Sequence, residues 1–175
     1  LYGGGFRLED REGLIREVRA LRTRASPEAL FRSFASLGGE RGWLVWNWAW
    51  ALRGFLDRLL GGPGLRRGRR HPTELLPGEA VDFWRVEAVE PPRLLRLRAE
   101  MRLPGRAWLE WEAREAEGGS LLVQTAYFER KGLTGFLYRW ALYPIHRRIF
   151  SDLARAIVRE AEAQAEAPPR GGGAG

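Results

Sequence analysis

The 175-residue sequence predicts one α+β domain in which a curved antiparallel sheet wraps a long C-terminal helix. Three observations predict it. Between residues 80 and 129 four segments alternate apolar and charged residues, and the short links Pro91-Pro92, Pro104-Gly105 and Gly118-Gly119 between them make antiparallel neighbours. The closing stretch GLTGFLYRWALYPIHRRIFSDLARAIVREAEAQ carries a helical stripe of Ile145, Ile149, Leu153 and Ala156. One strand pattern and two short helix patterns precede the meander. A chain of this length buries ~70 % of its unfolded surface around a single core.

The elements follow in order. Residues 1–12 read as a linker or N-terminal extension, because three glycines in a row cannot hold a packed element. GLIREVRALRTRA (13–25) alternates as a half-buried strand does, with Leu14, Arg16, Val18 and Ala20 on one parity and Ile15, Glu17, Arg19 and Leu21 on the other. In SPEALFRSF, Ser26 caps, Pro27 fits the first helical position, Glu28 suits the dipole, and Gly38-Gly39 stops the helix. A second helix spans Trp43 to Leu60 and ends at Gly61-Gly62. At ~100° per residue its stripe Trp48, Leu52, Phe55, Leu56 and Leu59 is the expected core face, with Trp43, Trp46 and Trp50 opposite. If residues 43–45 are extended, Trp43 leaves that arrangement.

In the meander, Trp84, Val86, Ala88, Leu95, Leu97, Ala99, Met101, Leu109, Trp111 and Ala113 point inward by parity. Arg85, Glu87, Arg96, Arg98, Glu100, Glu110 and Glu112 point outward, a ladder of opposite charges expected to pair across strands. Pro144 must break or kink the last helical pattern. The domain is expected over residues 13–165, with 166–175 a disordered proline and glycine tail.

Composition excludes some chemistry. There is no cysteine, hence no thiolate nucleophile, disulfide or cysteine metal site. The net charge is +7, carried by arginine with Lys131 the sole lysine, but the arginines are scattered among glutamates, which argues against a nucleic-acid interface. No apolar run approaches the ~18–20 residues of a membrane span, so a soluble, cytoplasmic protein is expected. The chain opens on Leu1 rather than methionine, which leaves open whether a segment precedes it. His71 and His146 lack metal-ligand spacing, Ser120 lacks a nucleophile-elbow context, and no bound metal or cofactor is expected.

GWLVWNWAWALRGFLDRLLGGPGLRRGRRHP, DFWRVEAVEP, LRAEMRLPGRAWLE and FLYRWALYPIHRRIF, in this order, resemble a branch of the START-like superfamily, also called SRPBCC or helix-grip, which includes the birch-pollen-allergen fold and polyketide cyclases. The resemblance covers roughly residues 13–160. It implies a cavity between sheet and final helix that holds an apolar or amphipathic ligand. Domains of this branch often sit behind an NAD(P)-binding Rossmann-like domain of the short-chain-dehydrogenase type, so such a partner is implied; no glycine fingerprint places a nicotinamide site in this chain itself.

Small inward residues beside large rings predict that cavity's lining: Trp46 and Trp50 at the mouth, Trp84, Met101 and Trp111 as floor, Trp140, Tyr143 and His146 as lid, and Gln124 as a polar group. Arg66, Arg67, Arg69 and Arg70, behind the C-terminus of the second helix, are either a solvated loop or an anion site using arginine forks. Two further functions stay open: a polyketide cyclase- or hydratase-like enzyme, and a protein-interaction or membrane-surface domain using an exposed tryptophan patch.

Overall fold

A computed structural model describes residues 5–11, 13–62, 64, 68–100, 106–129 and 143–166. Its elements are β1 (Gly5–Arg11), β2 (Leu14–Thr23), α1 (Pro27–Ala35), a 3-10 turn (Gly39–Arg41), α2 (Asn47–Leu59), β3 (Ala80–Val81), β4 (Trp84–Glu90), β5 (Leu94–Ala99), β6 (Ala107–Ala116), β7 (Gly119–Glu129) and α3 (Tyr143–Glu166). The strands form one antiparallel sheet in the order β1-β2-β7-β6-β5-β4-β3. The strand expected over residues 80–89 is divided by a turn at Asp82-Phe83 into β3, only two residues long, and β4. β1 was not expected and replaces the linker read at residues 1–12: Phe6 and Leu8 alternate with Arg7 and Glu9, and backbone pairing with β2 (Phe6 opposite Arg19, Leu8 opposite Glu17) outweighs the preceding glycines.

The start of α1 is as expected. Ser26 Oγ accepts from the Ala29 amide at 3.2 Å, and Pro27 and Glu28 fill the first turn. Helices α1 and α3 cover the concave face, where Leu30, Phe34, Leu153 and Ile157 pack against Leu97, Leu109, Trp111 and Leu122 in one buried cluster. Ser33 Oγ donates to the Ile157 carbonyl at 2.9 Å and pins the two helices together. Pro144 stands in the first turn of α3, where its missing amide is harmless, so it starts the helix rather than kinking it.

The charge ladder forms. Arg85 meets Glu100 at 2.5 Å, Arg96 meets Glu110 at 2.6 Å and Arg93 meets Glu112 at 3.2 Å across neighbouring strands. Inward parity holds for Trp84, Val86, Leu95, Leu97, Leu109, Trp111 and Ala113, all buried. Ala88 is a correction: a register shift between Val86 and Ala88 sets Ala88 opposite Arg96 and Val89 opposite Leu95, so an extra residue in β4 turns Ala88 outward and Val89 inward.

Helix α2 departs furthest from expectation. It begins at Asn47, because Trp46 stands left-handed at φ +54° and Asn47 Oδ1 takes the Trp43 amide at 2.9 Å instead of prolonging the helix backward. The side turned inward is Trp50, Gly54 and Asp57. The expected core stripe is outside: Trp48 is 66 % exposed, Phe55 59 % and Leu59 67 %, with Leu52 and Leu56 also exposed. Gly54 offers no side chain where Gly64 packs onto its carbonyl, and Asp57 Oδ2 takes the Gly64 amide at 3.0 Å. Closely fitted backbone and a satisfied carboxylate therefore occupy the inner side, which decides the helix's rotation against its own apolar pattern.

Candidate functional site

At one end of the grip a cleft of about 1410 Å³ opens between the end of α1, the 3-10 turn, the start of α2, residues 68–73 and Asp82. Its geometry comes from a short glycine-bounded loop. Gly38 and Gly42 have φ of +82° and +71°, a region that favours glycine, and the Gly38 amide donates to the Gly42 carbonyl at 2.8 Å, closing the loop. The left-handed Asp82 (φ +53°) sits in the turn between β3 and β4 and reaches into this loop. Its Oδ2 accepts from the Gly39 amide at 3.1 Å and from Trp43 Nε1 at 2.8 Å.

Trp43 is thereby fixed as one wall. Its ring lies 5.8 Å from Trp50 and 6.3 Å from Phe83, and Phe83 lies 5.0 Å from Trp84. This aromatic bank runs on through Phe150 to His146. Two buried polar atoms at the cleft, Trp50 Nε1 and Asp82 Oδ1, meet no hydrogen-bond partner among the described residues. Leaving such a donor or acceptor unmade costs about 1–3 kcal/mol. Four arginines (Arg32, Arg41, Arg69 and Arg70) line the cleft with two carboxylates, Glu40 and Asp82, an excess of positive charge that Glu160, paired with Arg41 at 2.8 Å, and Glu79, paired with Arg70, partly offset.

The sequence-derived residues are dispersed over the fold. Trp50, Arg69 and Arg70 line the cleft. Arg69 is committed to main chain: it donates to the carbonyls of Leu37 at 2.5 Å, Ala35 at 2.6 Å and His71 at 3.1 Å, capping the end of α1, while Arg70 pairs with Glu79. Trp84 is buried in the aromatic bank behind Trp43. Trp46 precedes α2, is partly buried against the core, and donates to Asp152 Oδ2 at 2.8 Å. Trp111 and Gln124 are buried beneath α1 and α3, where Trp111 Nε1 donates to Gln124 Oε1 at 2.8 Å, Gln124 Nε2 donates to the Phe150 carbonyl at 2.9 Å, and Phe34 stacks on the indole. Tyr143 and His146 open α3. Met101, Trp140, Arg66 and Arg67, and the tail from 167 onward, lie outside the described residues.

Sequence reasoning reads Asp82, with Glu74 and Glu79, as a turn carboxylate rather than an acid/base group and misses its anchoring role, as well as Trp43 as a cleft wall and a buried charge pair. The signal for Asp82 was its place between Val81 and Phe83, a carboxylate in a two-residue turn, where aspartate tolerates the left-handed region. The pair is Glu17 and Arg19, side by side on the concave face of β2 below the first turns of α3. The two form an ion pair almost wholly shielded from solvent. Burial raises the Glu17 carboxyl above its ordinary range, opposed by the Arg19 and Arg147 charges. Arg19 also donates to the Arg147 carbonyl at 3.0 Å, tying β2 to α3. His146 faces Arg53 of α2 at 2.9 Å, and burial together with that guanidinium lowers its pKa to about 3, so the ring is neutral and accepts from Arg53.

A curved sheet closed over a long C-terminal helix, with paired helices on the concave side, defines a helix-grip protein. Within that class the chain belongs to the family described as "Protein of unknown function (DUF2867)", whose pattern matches residues 11–153. Solved structures share the fold. Ara h 8.0201 superposes with a TM-score of 0.52 at 11 % identity, covering 86 % of this chain and 99 % of that one. A protein from Rhodobacter sphaeroides gives 0.51 at 15 % identity, covering 91 % and 99 %. The protein of unknown function SA2116 from Staphylococcus aureus gives 0.51 at 10 % identity, covering 91 % and 98 %. No curated protein matches the chain.

Proposed function

We propose that the protein is a cytoplasmic binder of an amphipathic small molecule, held in the cleft with its apolar body against Trp43 and Trp50 and an anionic head among Arg32, Arg41 and Arg70. The observation that carries this reading is the joining, in one cleft, of a buried indole wall with unpartnered polar atoms and an arginine excess. An apolar surface with a few convergent polar groups is the usual make-up of a small-molecule site. Trp43 and Trp50 supply the apolar wall and the guanidinium forks the charge complement. The ligand then lies at the end of the grip, beside the C-terminal helix rather than beneath it.

The test uses 1-anilinonaphthalene-8-sulfonate, an anionic amphipath, with 1-anilinonaphthalene as its neutral counterpart. Wild type should bind the sulfonate at least tenfold more tightly than the neutral compound. Arg32→Gln/Arg70→Gln should erase that preference, and Trp50→Phe should weaken both. Arg69 is left intact because it holds α1. Equal affinity of wild type and both variants for the sulfonate would defeat the reading.

The Glu17–Arg19 pair and His146, buried below the start of α3, favour a second reading: a polar group set within the grip, as cyclase- or hydratase-like chemistry would require, with Gln124 opposite Arg19, Trp111 bonded to Gln124, and Tyr143 close to Arg19. Glu17→Gln would then abolish turnover of a polyketide-like substrate without changing sulfonate binding at the cleft. An NAD(P)-binding Rossmann domain as physical partner extends the first reading, since nucleotide phosphates suit the cleft arginines; a thermal shift with NADPH that survives Arg32→Gln/Arg70→Gln would count against it.

A further inference from the structure

Helix α2 is built inside out. Its only carboxylate, Asp57, is fully buried, while Trp48, Leu52, Phe55, Leu56 and Leu59, with Leu60 just beyond, form a continuous exposed stripe, each between 45 % and 67 % exposed. Its two arginines flank that stripe. At ~100° per residue Arg58 falls on one border, exposed, and Arg53 on the other, where its guanidinium is held by His146 at 2.9 Å. Arg148 of α3 adds a third positive group: it lies 3.5 Å from Asp152, which holds Trp46, which in turn lies 5.7 Å from Trp48. Ile145, in the first turn of α3, is also half exposed. The border of the apolar stripe is thus arginine, and no carboxylate of α2 faces outward.

We propose that this face of α2 docks onto an anionic lipid surface. A helix of 13 residues is too short to cross a bilayer, and among the described residues no helix is long and apolar enough to do so. An apolar stripe with flanking cations and a tryptophan at its edge is the arrangement that lies in the plane of a membrane, its side chains at the headgroup boundary and its guanidinium groups against lipid phosphates. Charge selects this occupant over a second copy of the chain: a copy would present the same face with its own Arg58 and Arg148, and the chain as a whole carries +7. Docking uses the side of α2 opposite Trp50, so it does not depend on ligand binding in the cleft.

The experiment is flotation with vesicles of phosphatidylglycerol and phosphatidylcholine (3:7) and of phosphatidylcholine alone, alongside sedimentation of the free protein. Wild type should float with the anionic vesicles, at least tenfold more than with neutral ones, and 0.5 M NaCl should reverse it. Phe55→Ser/Leu59→Ser should abolish flotation; both side chains are exposed, and an unchanged melting temperature shows that the variant is folded. Arg58→Glu, with the apolar stripe intact, should reduce flotation several-fold. No flotation by wild type overturns the proposal, as does flotation that survives both variants. A wild-type dimer that Phe55→Ser/Leu59→Ser converts to monomer, with no vesicle binding, assigns the face to a second copy instead.

Discussion

Asp82 is the residue on which the cleft turns, and its replacement has effects that can be worked from the structure. Asp82→Ala removes the acceptor of two donors, the Gly39 amide and Trp43 Nε1, and leaves both with no protein partner around a residue that is 3 % exposed. At about 1–2 kcal/mol for each orphaned donor, the hydrogen bonds alone contribute about 2–4 kcal/mol. Alanine at φ +53° adds about 1 kcal/mol that aspartate partly avoids. The expected loss is about 3–5 kcal/mol, read as a melting point lower by roughly 6–20 °C at ~2–4 °C per kcal/mol for a domain of this size. Asp82→Asn keeps an oxygen for the two donors and tolerates the backbone, so it should cost under ~1 kcal/mol. Chemical denaturation of the two variants, with Trp43→Phe completing a double-mutant cycle, reads the coupling directly; about 1–2 kcal/mol between Asp82 and Trp43 is expected. Equal losses for alanine and asparagine, or a coupling near zero, would refute the assignment of Asp82 as the anchor of the cleft loop.

Three more outcomes are expected. His146 titrates near 3 when folded and near 6.5 when unfolded, so the unfolded chain binds the extra proton and stability falls as pH drops from about 6.5 toward 3, at up to ~1.4 kcal/mol per pH unit; urea titrations of His146→Gln should show a flatter profile in that window. Glu17→Leu leaves Arg19 uncompensated and should cost about 3–5 kcal/mol, whereas Glu17→Leu/Arg19→Met should recover most of the loss; a double variant as unstable as the single would show that packing rather than charge governs the pair. Removing residues 1–11 strips the β1 pairing and takes away Phe6, whose ring lies 5.2 Å from the Arg19 guanidinium and 4.7 Å from that of Arg147, so the melting temperature should fall by several degrees; an unchanged value would restore the linker reading.

The sheet was legible where strict alternation met short turns: β4 to β7 and their inward residues follow from period two. Ala88 was not, because a single bulged residue leaves no mark in the pattern while turning the rest of the strand over. α2 was misread for a different reason. Its sequence carries one broad apolar stripe and one narrow inner side of Trp50, Gly54 and Asp57, and periodicity favours the broad stripe. The decision lies with a glycine contact and a carboxylate's partner supplied by Gly64, ten residues beyond Gly54 along the chain. At the cleft, Trp50 and the arginines could be named from composition and spacing. Asp82 and the Glu17–Arg19 pair could not, since each gains its meaning only from residues that the fold brings from afar, Trp43 in one case and Arg147 in the other.

The three carbonyls gripped by Arg69 bear on how the cleft breathes. Among the described residues between α2 and β3 there is no helix or strand, and residues 68–70, 72 and 73 of that stretch form one wall of the cleft. Because Arg69 fastens that wall to the last turn of α1, the wall cannot swing out unless the carbonyls of Ala35 and Leu37 are released. The mouth of the cleft and the frayed end of a helix thirty residues upstream then open as one event, and access from solvent is limited by the lifetime of a helix terminus. Amide exchange would show this as equal opening free energies for Leu37 and for residues 69–71, lowered together by Arg69→Met; independent exchange of the two would separate them.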